Sequence, residues 1–289
     1  TNIDFNDSTR NLIAGSSIDL SGFSDISGRI LLESPIANDV TFIPPTFDAS
    51  NTFISFFIGG YVWDCDLTNV SVNGSLTCTL TNATGFTFNA SNKNCRSGLT
   101  LLNYTLNNTT DLDLTGLSDL GGVISLDGSN FRSITVGSNT TPVSRFLNRN
   151  NQNITSIDLN PLTVADSSLL IRFSNSPNMT SLILPSNPNA TIISLLLGGS
   201  DFGYIDFTVL PNALNVNNAL IELFSNNMTV EDVNHILVDL DTNTNAGFTG
   251  RVINMTGTNA SPDATSGGFN GTAAAASLAN KGVDVQVNP

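Results

Sequence analysis

One tripeptide, apolar-x-apolar, recurs along the chain and constrains its fold more than any other feature. It appears as Ile18-Asp19-Leu20, Val40-Thr41-Phe42, Cys65-Asp66-Leu67, Phe86-Thr87-Phe88 and Leu112-Asp113-Leu114. It continues as Ile134-Thr135-Val136, Ile157-Asp158-Leu159, Leu182-Ile183-Leu184 and Ile205-Asp206-Phe207. The first residues lie at 18, 40, 65, 86, 112, 134, 157, 182 and 205, so the gaps run from 21 to 26. An internal repeat of this length means stacked coils around one continuous core. Apolar-x-apolar is the period of a strand, with the outer two side chains inward and the middle one outward.

A second apolar run falls between successive tripeptides: Ile30 to Leu32, Phe53 to Ile58, Leu76 to Leu80, Leu99 to Leu102, Val123 to Leu126, Leu169 to Phe173, Ile192 to Leu197 and Leu220 to Phe224. Each coil therefore carries two short strands, joined by turns rich in Gly, Asn, Pro and Ser. The middle residues read Asp, Thr, Asp, Thr, Asp, Thr, Asp, Ile, Asp. The residue three places on alternates too: Phe23, Val70, Leu117, Leu162 and Leu210 follow the Asp tripeptides, and Pro45, Ser91, Asn139 and Asn187 follow the others. The Asp set starts at 18, 65, 112, 157 and 205, in steps of 47, 47, 45 and 48, so the true unit is two coils of about 47 residues.

The expected fold is all-β with minor α, a β-solenoid of two-coil repeats with a helix-bearing C-terminal cap. Residues 1–17 are expected to form an N-terminal cap, 18–225 the repeats, and 226–289 a capping region that continues the solenoid. The register predicts further repeat members at Met228-Thr229-Val230 and at Ile253-Asn254-Met255, the latter resembling Leu112-Asp113-Leu114. Val233, Ile236, Leu237 and Leu240 have helical spacing, with Thr229 as N-cap and Glu231 and Asp232 in the first turn. A second helix is expected over 272–281, stopped by Gly282, and a last strand over 283–287.

Bulk properties exclude several functions. The net charge of −14 opposes binding to nucleic acid or to anionic lipid. No apolar run is long enough to span a membrane. The start, TNIDFNDSTR, lacks the layout of a signal peptide, so a leader is either already removed or was never there. Charged residues are only 12%, about half the usual share, so Asn, Ser and Thr must carry solubility. Cys65, Cys78 and Cys95 do not have zinc spacing. They read as small core residues, with a Cys78–Cys95 disulfide left open.

Candidate chemistry is sparse. The outward column of Asp19, Thr41, Asp66, Thr87, Asp113, Thr135, Asp158 and Asp206 reads first as a solvated sheet face and second as a recognition face for a glycan or a neighbouring subunit. Coils stack about 4.8 Å apart, so Asp on alternate coils are roughly 9 to 10 Å apart. Paired glycosidase carboxylates lie about 5 to 9.5 Å apart with one desolvated, so no catalytic residue is assigned. Asp239-x-Asp241-x-Asn243-x-Asn245 has the oxygen spacing of a calcium loop but Thr244 and Gly250 where that loop needs Gly and Glu, so a helix end is expected and no metal is assigned. His235 is the only histidine, with no matching Ser or Cys motif. No cofactor motif is present.

The segment RFSNSPNMTSLILPSN, from Arg172 to Asn187, resembles a leucine-rich-repeat coil, L-x-x-L-x-L-x-x-N, through Met179, Leu182, Leu184 and Asn187. The C-terminal run VEDVNHILVDLD, TGRVINMTGTNASPDA and AAAASLANKGVDVQVN resembles the end of leucine-rich-repeat-like domains of tailed-bacteriophage virion proteins and some bacterial surface proteins. Val283 stands where that pattern has Trp. The resemblance implies a non-enzymatic structural protein of a bacteriophage virion surface, on head or tail fibre, with a role in host attachment. It implies other virion proteins or copies of itself as partners, with a host-surface glycan or protein beyond them. The alternatives are a bacterial cell-surface adhesin or interaction module, and a polysaccharide-degrading β-solenoid with clustered, perturbed acids.

Overall fold

The computed structural model describes residues 3–4, 17–19, 22, 28–33, 40–43, 53–59, 63–66, 72–80, 85–88, 90, 93–103 and 111–289. Side chains are described at 75–78, 88, 90, 93–101 and from 111 on. The fold is a parallel β-solenoid, with two α-helices among the described residues. The chain divides into two units, Thr1–Pro142 and Val143–Pro289.

Neighbouring parallel strands need a crossover between them, and here the crossover is itself a strand, in a second sheet. In the first unit the main sheet runs Ile3–Asp4, Gly28–Glu33, Phe53–Gly59, Val72–Leu80, Lys93–Asn103 and Gly122–Ser125, all parallel. These are the second apolar runs of successive coils. Ile3–Asp4, within the stretch expected to cap, pairs in the main sheet with Ile30 and Leu31. The tripeptides form the other sheet. Ser17–Asp19, Val40–Ile43, Trp63–Asp66 and Gly85–Thr87 pair in order, and Asp111–Asp113 pairs with Ser133–Thr135.

In the second unit the main sheet runs Val143–Leu147, Leu169–Arg172, Ile192–Leu196, Leu220–Glu222, Arg251–Asn254 and Val283–Gln286. Phe146, Ile171, Leu195, Ile221 and Ile253 stand in register across it, and all are buried. At about 1.5–3 kcal/mol for each fully buried side chain, such rows drive the stacking. On the opposite side Ser156–Asp158 pairs with Ser181–Ile183. The tripeptide pattern holds wherever side chains are described. Leu112, Leu114, Ile134, Val136, Ile157, Leu159, Leu182, Leu184, Ile205 and Phe207 are buried, and the residues between them are exposed.

Both helices form between main-sheet strands, where earlier coils have a tripeptide strand. α1, Val230–Asn243, follows Leu220–Glu222, and α2, Gly271–Asn280, follows Arg251–Asn254. Thr229 caps α1 in a capping box with Asp232. Thr229 therefore begins a helix, and Met228-Thr229-Val230 is not a strand. α2 ends before Gly282, whose φ of +85° suits glycine. The Ile253 tripeptide likewise departs from the expected register. It lies in the main sheet, because each helical coil is longer than the repeat spacing assumes.

Six buried polar residues follow the main-sheet strands: Ser129 in the first unit, and Asn151, Ser176, Ser200, Asn226 and Asn259 in the second. Asn151, Asn226 and Asn259 accept from turn amides that water cannot reach, while the hydroxyls of Ser129 and Ser200 donate to the carbonyls of Leu101 and Phe173. Asn259 Oδ1 accepts from the amides of Asn226 (2.9 Å) and Met228 (3.1 Å), and Asn226 Oδ1 accepts from that of Ser200 (3.2 Å). Cys78 and Cys95 are both buried free thiols, so they do not form the disulfide that the sequence left open. Burial pushes the Cys95 thiol up to about 12, which keeps it protonated and inert. The side chain of Cys65 lies outside the described residues.

Candidate functional site

The phase-carrying residues are turn formers. Asp113 Oδ1 accepts from the Thr115 amide (2.9 Å) and hydroxyl (2.7 Å). Asp158 Oδ1 accepts from the Asn160 amide (2.8 Å). Asp206 Oδ1 accepts from the Thr208 amide (2.8 Å) and hydroxyl (2.5 Å). Each carboxylate closes an Asx turn, and Asp113 and Asp158 do so at strand ends. A β-turn follows, Leu117 N to Leu114 O, Leu162 N to Leu159 O and Leu210 N to Phe207 O, which returns an apolar residue to the core three places after the tripeptide. In the alternate coils Asn139 and Asn187 take that place. Asn187 Nδ2 donates to Val164 O (2.9 Å) of the preceding coil.

The backbone pairing sets several members of the column opposite one another. Asp66 lies opposite Thr87, Asp113 opposite Thr135, and Asp158 opposite Ile183. Asp19 lies opposite Ile43, while Thr41 lies opposite Ser17 and Asp64, two places away from that row. The side chains of Asp19, Thr41, Asp66 and Thr87 lie outside the described residues. Asp113, Thr135, Asp158 and Asp206 are exposed. Hydrogen bonds from Thr115 hold the Asp113 carboxyl below its ordinary range. Those from Arg132 and Ser133 pull Asp111 down to about 2. Burial pushes Asp119 up, but hydrogen bonds from Thr141 and Thr140 outweigh it and leave it well below the usual range. Ser266 and Asn234 likewise hold Asp263 down. A general acid near neutral pH needs the opposite shift.

The calcium-like spacing does not form a loop. Asp239, Asp241 and Asn243 belong to α1, whose 3.6-residue period turns Asp241 away from the face that Asp239 and Asn243 share. Asp239 accepts from Tyr204, and Asp241 pairs with Lys281 at 2.8 Å. Among the described residues no three His, Cys, Asp or Glu gather as metal ligands, and no helix is long and apolar enough to cross a membrane.

One feature of the second unit has the shape of a site. A groove of about 280 Å³ opens on the tripeptide side, lined by Asn160, Ser181, Ile183, Tyr204, Asp206 and Val209. Ile183 and Tyr204 are among the few exposed large apolar side chains of the described residues, at 51% and 37%. The Tyr204 ring stacks on His235 (centroids 3.9 Å apart, 9° between planes), and His235 stacks on Phe269 (3.9 Å, 14°). The Tyr204 hydroxyl donates to Asp239 Oδ2 at 2.6 Å, and His235 Nε2 lies 3.7 Å from Asp239 Oδ1. Burial, with the carboxylates of Asp239 and Asp206, pushes the Tyr204 phenol well above its ordinary range, so it remains a donor. The lone histidine is thus a packing piece that joins α1 to the last Asp coil and to the loop before α2.

Of the sequence-assigned column, the groove contains Asp206 alone. Ile183 and Tyr204 were not among the candidate residues, although Ile183 carries a signal: it is where the Asp/Thr alternation breaks. No family model, curated protein or solved structure matches the chain.

Proposed function

We propose that the chain is a non-enzymatic structural protein of a bacteriophage particle surface, on head or tail fibre, with a part in host attachment. The observation that supports this reading is the C-terminal region. Its order of helix, strand, helix and strand follows the order of motifs in the resemblance to tailed-phage virion domains. The solenoid also suits a rigid part exposed to solvent, since hydrogen-bonded Asx turns and buried polar ladders replace flexible charged loops. Contacts with other virion proteins or with further copies of the chain would extend the assembly.

The test is copurification. Infectious particles isolated on a density gradient should contain the protein in a constant ratio to the capsid subunit, with antibody labelling on head or tail. Recovery with the bacterial envelope instead would favour the surface-adhesin reading. A gain of reducing ends in polysaccharide incubated with the protein would overturn the non-enzymatic one.

A further inference from the structure

We propose that the groove beside Tyr204 is a binding site for a neutral glycan. The inference rests on the host-attachment reading only for the source of that sugar.

The first observation is the break in the column. Where the pattern calls for Thr, residue 183 is an exposed isoleucine at the edge of a groove that also exposes a tyrosine. An apolar side chain facing water at a place that Thr fills elsewhere gives nothing to the solenoid. It does give a sugar ring an apolar neighbour.

The second is preorganisation. His235 covers one face of the Tyr204 ring, Phe269 backs His235, and Asp239 fixes the hydroxyl. A ring already immobilised loses little entropy when a ligand stacks on it.

The third is the set of polar groups around that ring. The side-chain amide of Asn160 and the hydroxyl of Ser181 are exposed and make no hydrogen bond among the described residues. The Asp206 carboxylate, held by its Asx turn, completes the rim. An aromatic face with a convergent amide, hydroxyl and carboxylate matches a pyranose, which presents C–H groups on one face and hydroxyls around its edge.

Size and charge narrow the class. A groove of about 280 Å³ is close to the lower end of the roughly 300–1,000 Å³ that small-molecule sites occupy. Asp206 lines it, Asp158 stands opposite Ile183, and the chain carries −14, so uronic, sialic and phosphorylated sugars are repelled.

Calorimetric titration of the full chain with cellohexaose, maltoheptaose, chitohexaose and a linear galactan oligosaccharide, with hyaluronate as the anionic control, tests the site. At least one neutral oligosaccharide should bind with Kd at or below about 1 mM. Asp206→Asn and Ile183→Thr should each weaken it about tenfold, and Tyr204→Ala should weaken it further. Tyr204→Phe, which keeps the ring, should stay within about threefold of the parent. Asp206→Asn should keep the fold, because Asn254 forms the same turn with Thr256 (3.1 and 2.7 Å). Asp113→Asn, on the column but not among the groove's lining residues, should bind like the parent. The inference is overturned if no neutral oligosaccharide binds at about 10 mM, if hyaluronate binds equally well, or if Asp206→Asn and Ile183→Thr leave affinity unchanged. Failure here with the protein still on purified virions removes the glycan site and leaves the structural role intact.

Discussion

At the scale of single residues, the acidic groups are more structural than their exposure suggests. Asp119 is the strongest case. It is 7% exposed and accepts from the amides and hydroxyls of both Thr140 and Thr141, at 2.6 to 3.1 Å. Its carboxyl titrates below the ordinary value in the folded chain. Its contribution to stability is therefore fully present above the unfolded value of about 3.9 and is lost as pH falls through the lower folded one. Asp119→Asn should lower stability at pH 7 by about 1–3 kcal/mol, because the amide nitrogen faces donors instead of accepting from them. Urea midpoints of parent and variant should converge only once the pH has fallen through that lower folded value. A difference that persists there would mean that packing, not the carboxylate, is at work.

At the scale of elements, the strands were readable because burial in a two-sheet coil leaves a strict inward-outward alternation. That is why Leu112-Asp113-Leu114 and its relatives announce themselves. The Asp/Thr phase was readable too, though not its cause, an Asx turn that shows only in hydrogen bonds. Three things were hidden. The register slip at Thr41 was hidden because Val40, Phe42 and Ile43 are all apolar, so alternation does not fix which of them stands opposite Asp19. The buried, hydrogen-bonded series of Ser200, Asn226 and Asn259 is dispersed among many other Ser and Asn residues. The sheet assignment of Ile253 changed because α1 replaces a strand and lengthens the coil. In the candidate site, only Asp206 was legible. Tyr204 acquires its role from His235, Asp239 and Phe269, residues 31 to 65 places away in sequence.

The cap has its own key residue. Arg251 is buried, and its guanidinium donates to the carbonyls of Leu214 (3.2 Å), Asn245 (2.8 Å) and Lys281. Asn245 lies just past α1 and Lys281 caps α2, so one cation meets the negative ends of both helix dipoles. Arg251→Met should cost about 3 kcal/mol, because three carbonyls lose a charged donor. Hydrogen exchange should show the loss first in Val283–Gln286 and α2. Uniform loss across the chain would contradict a local clamp.

At the scale of the whole molecule, the central claim is that the repeating unit is two coils. Among the described residues the coils differ in how they turn: the coils of Asp113, Asp158 and Asp206 close with an Asx turn and a buried Leu, and those of Thr135 and Ile183 place Asn139 and Asn187 there. The most direct measurement is thermal unfolding of two excision variants. Removal of 65–111 joins Asp64 to Leu112 and deletes one 47-residue unit, so that an Asp coil still follows Phe42. Removal of 86–111 deletes one 26-residue coil and sets an Asp coil directly after another. The account predicts that the larger excision keeps a cooperative transition with native-like circular dichroism, within about 10 °C of the parent. The smaller one should lose cooperativity or melt far lower. Equal behaviour of the two, or better folding after the single-coil excision, would contradict it.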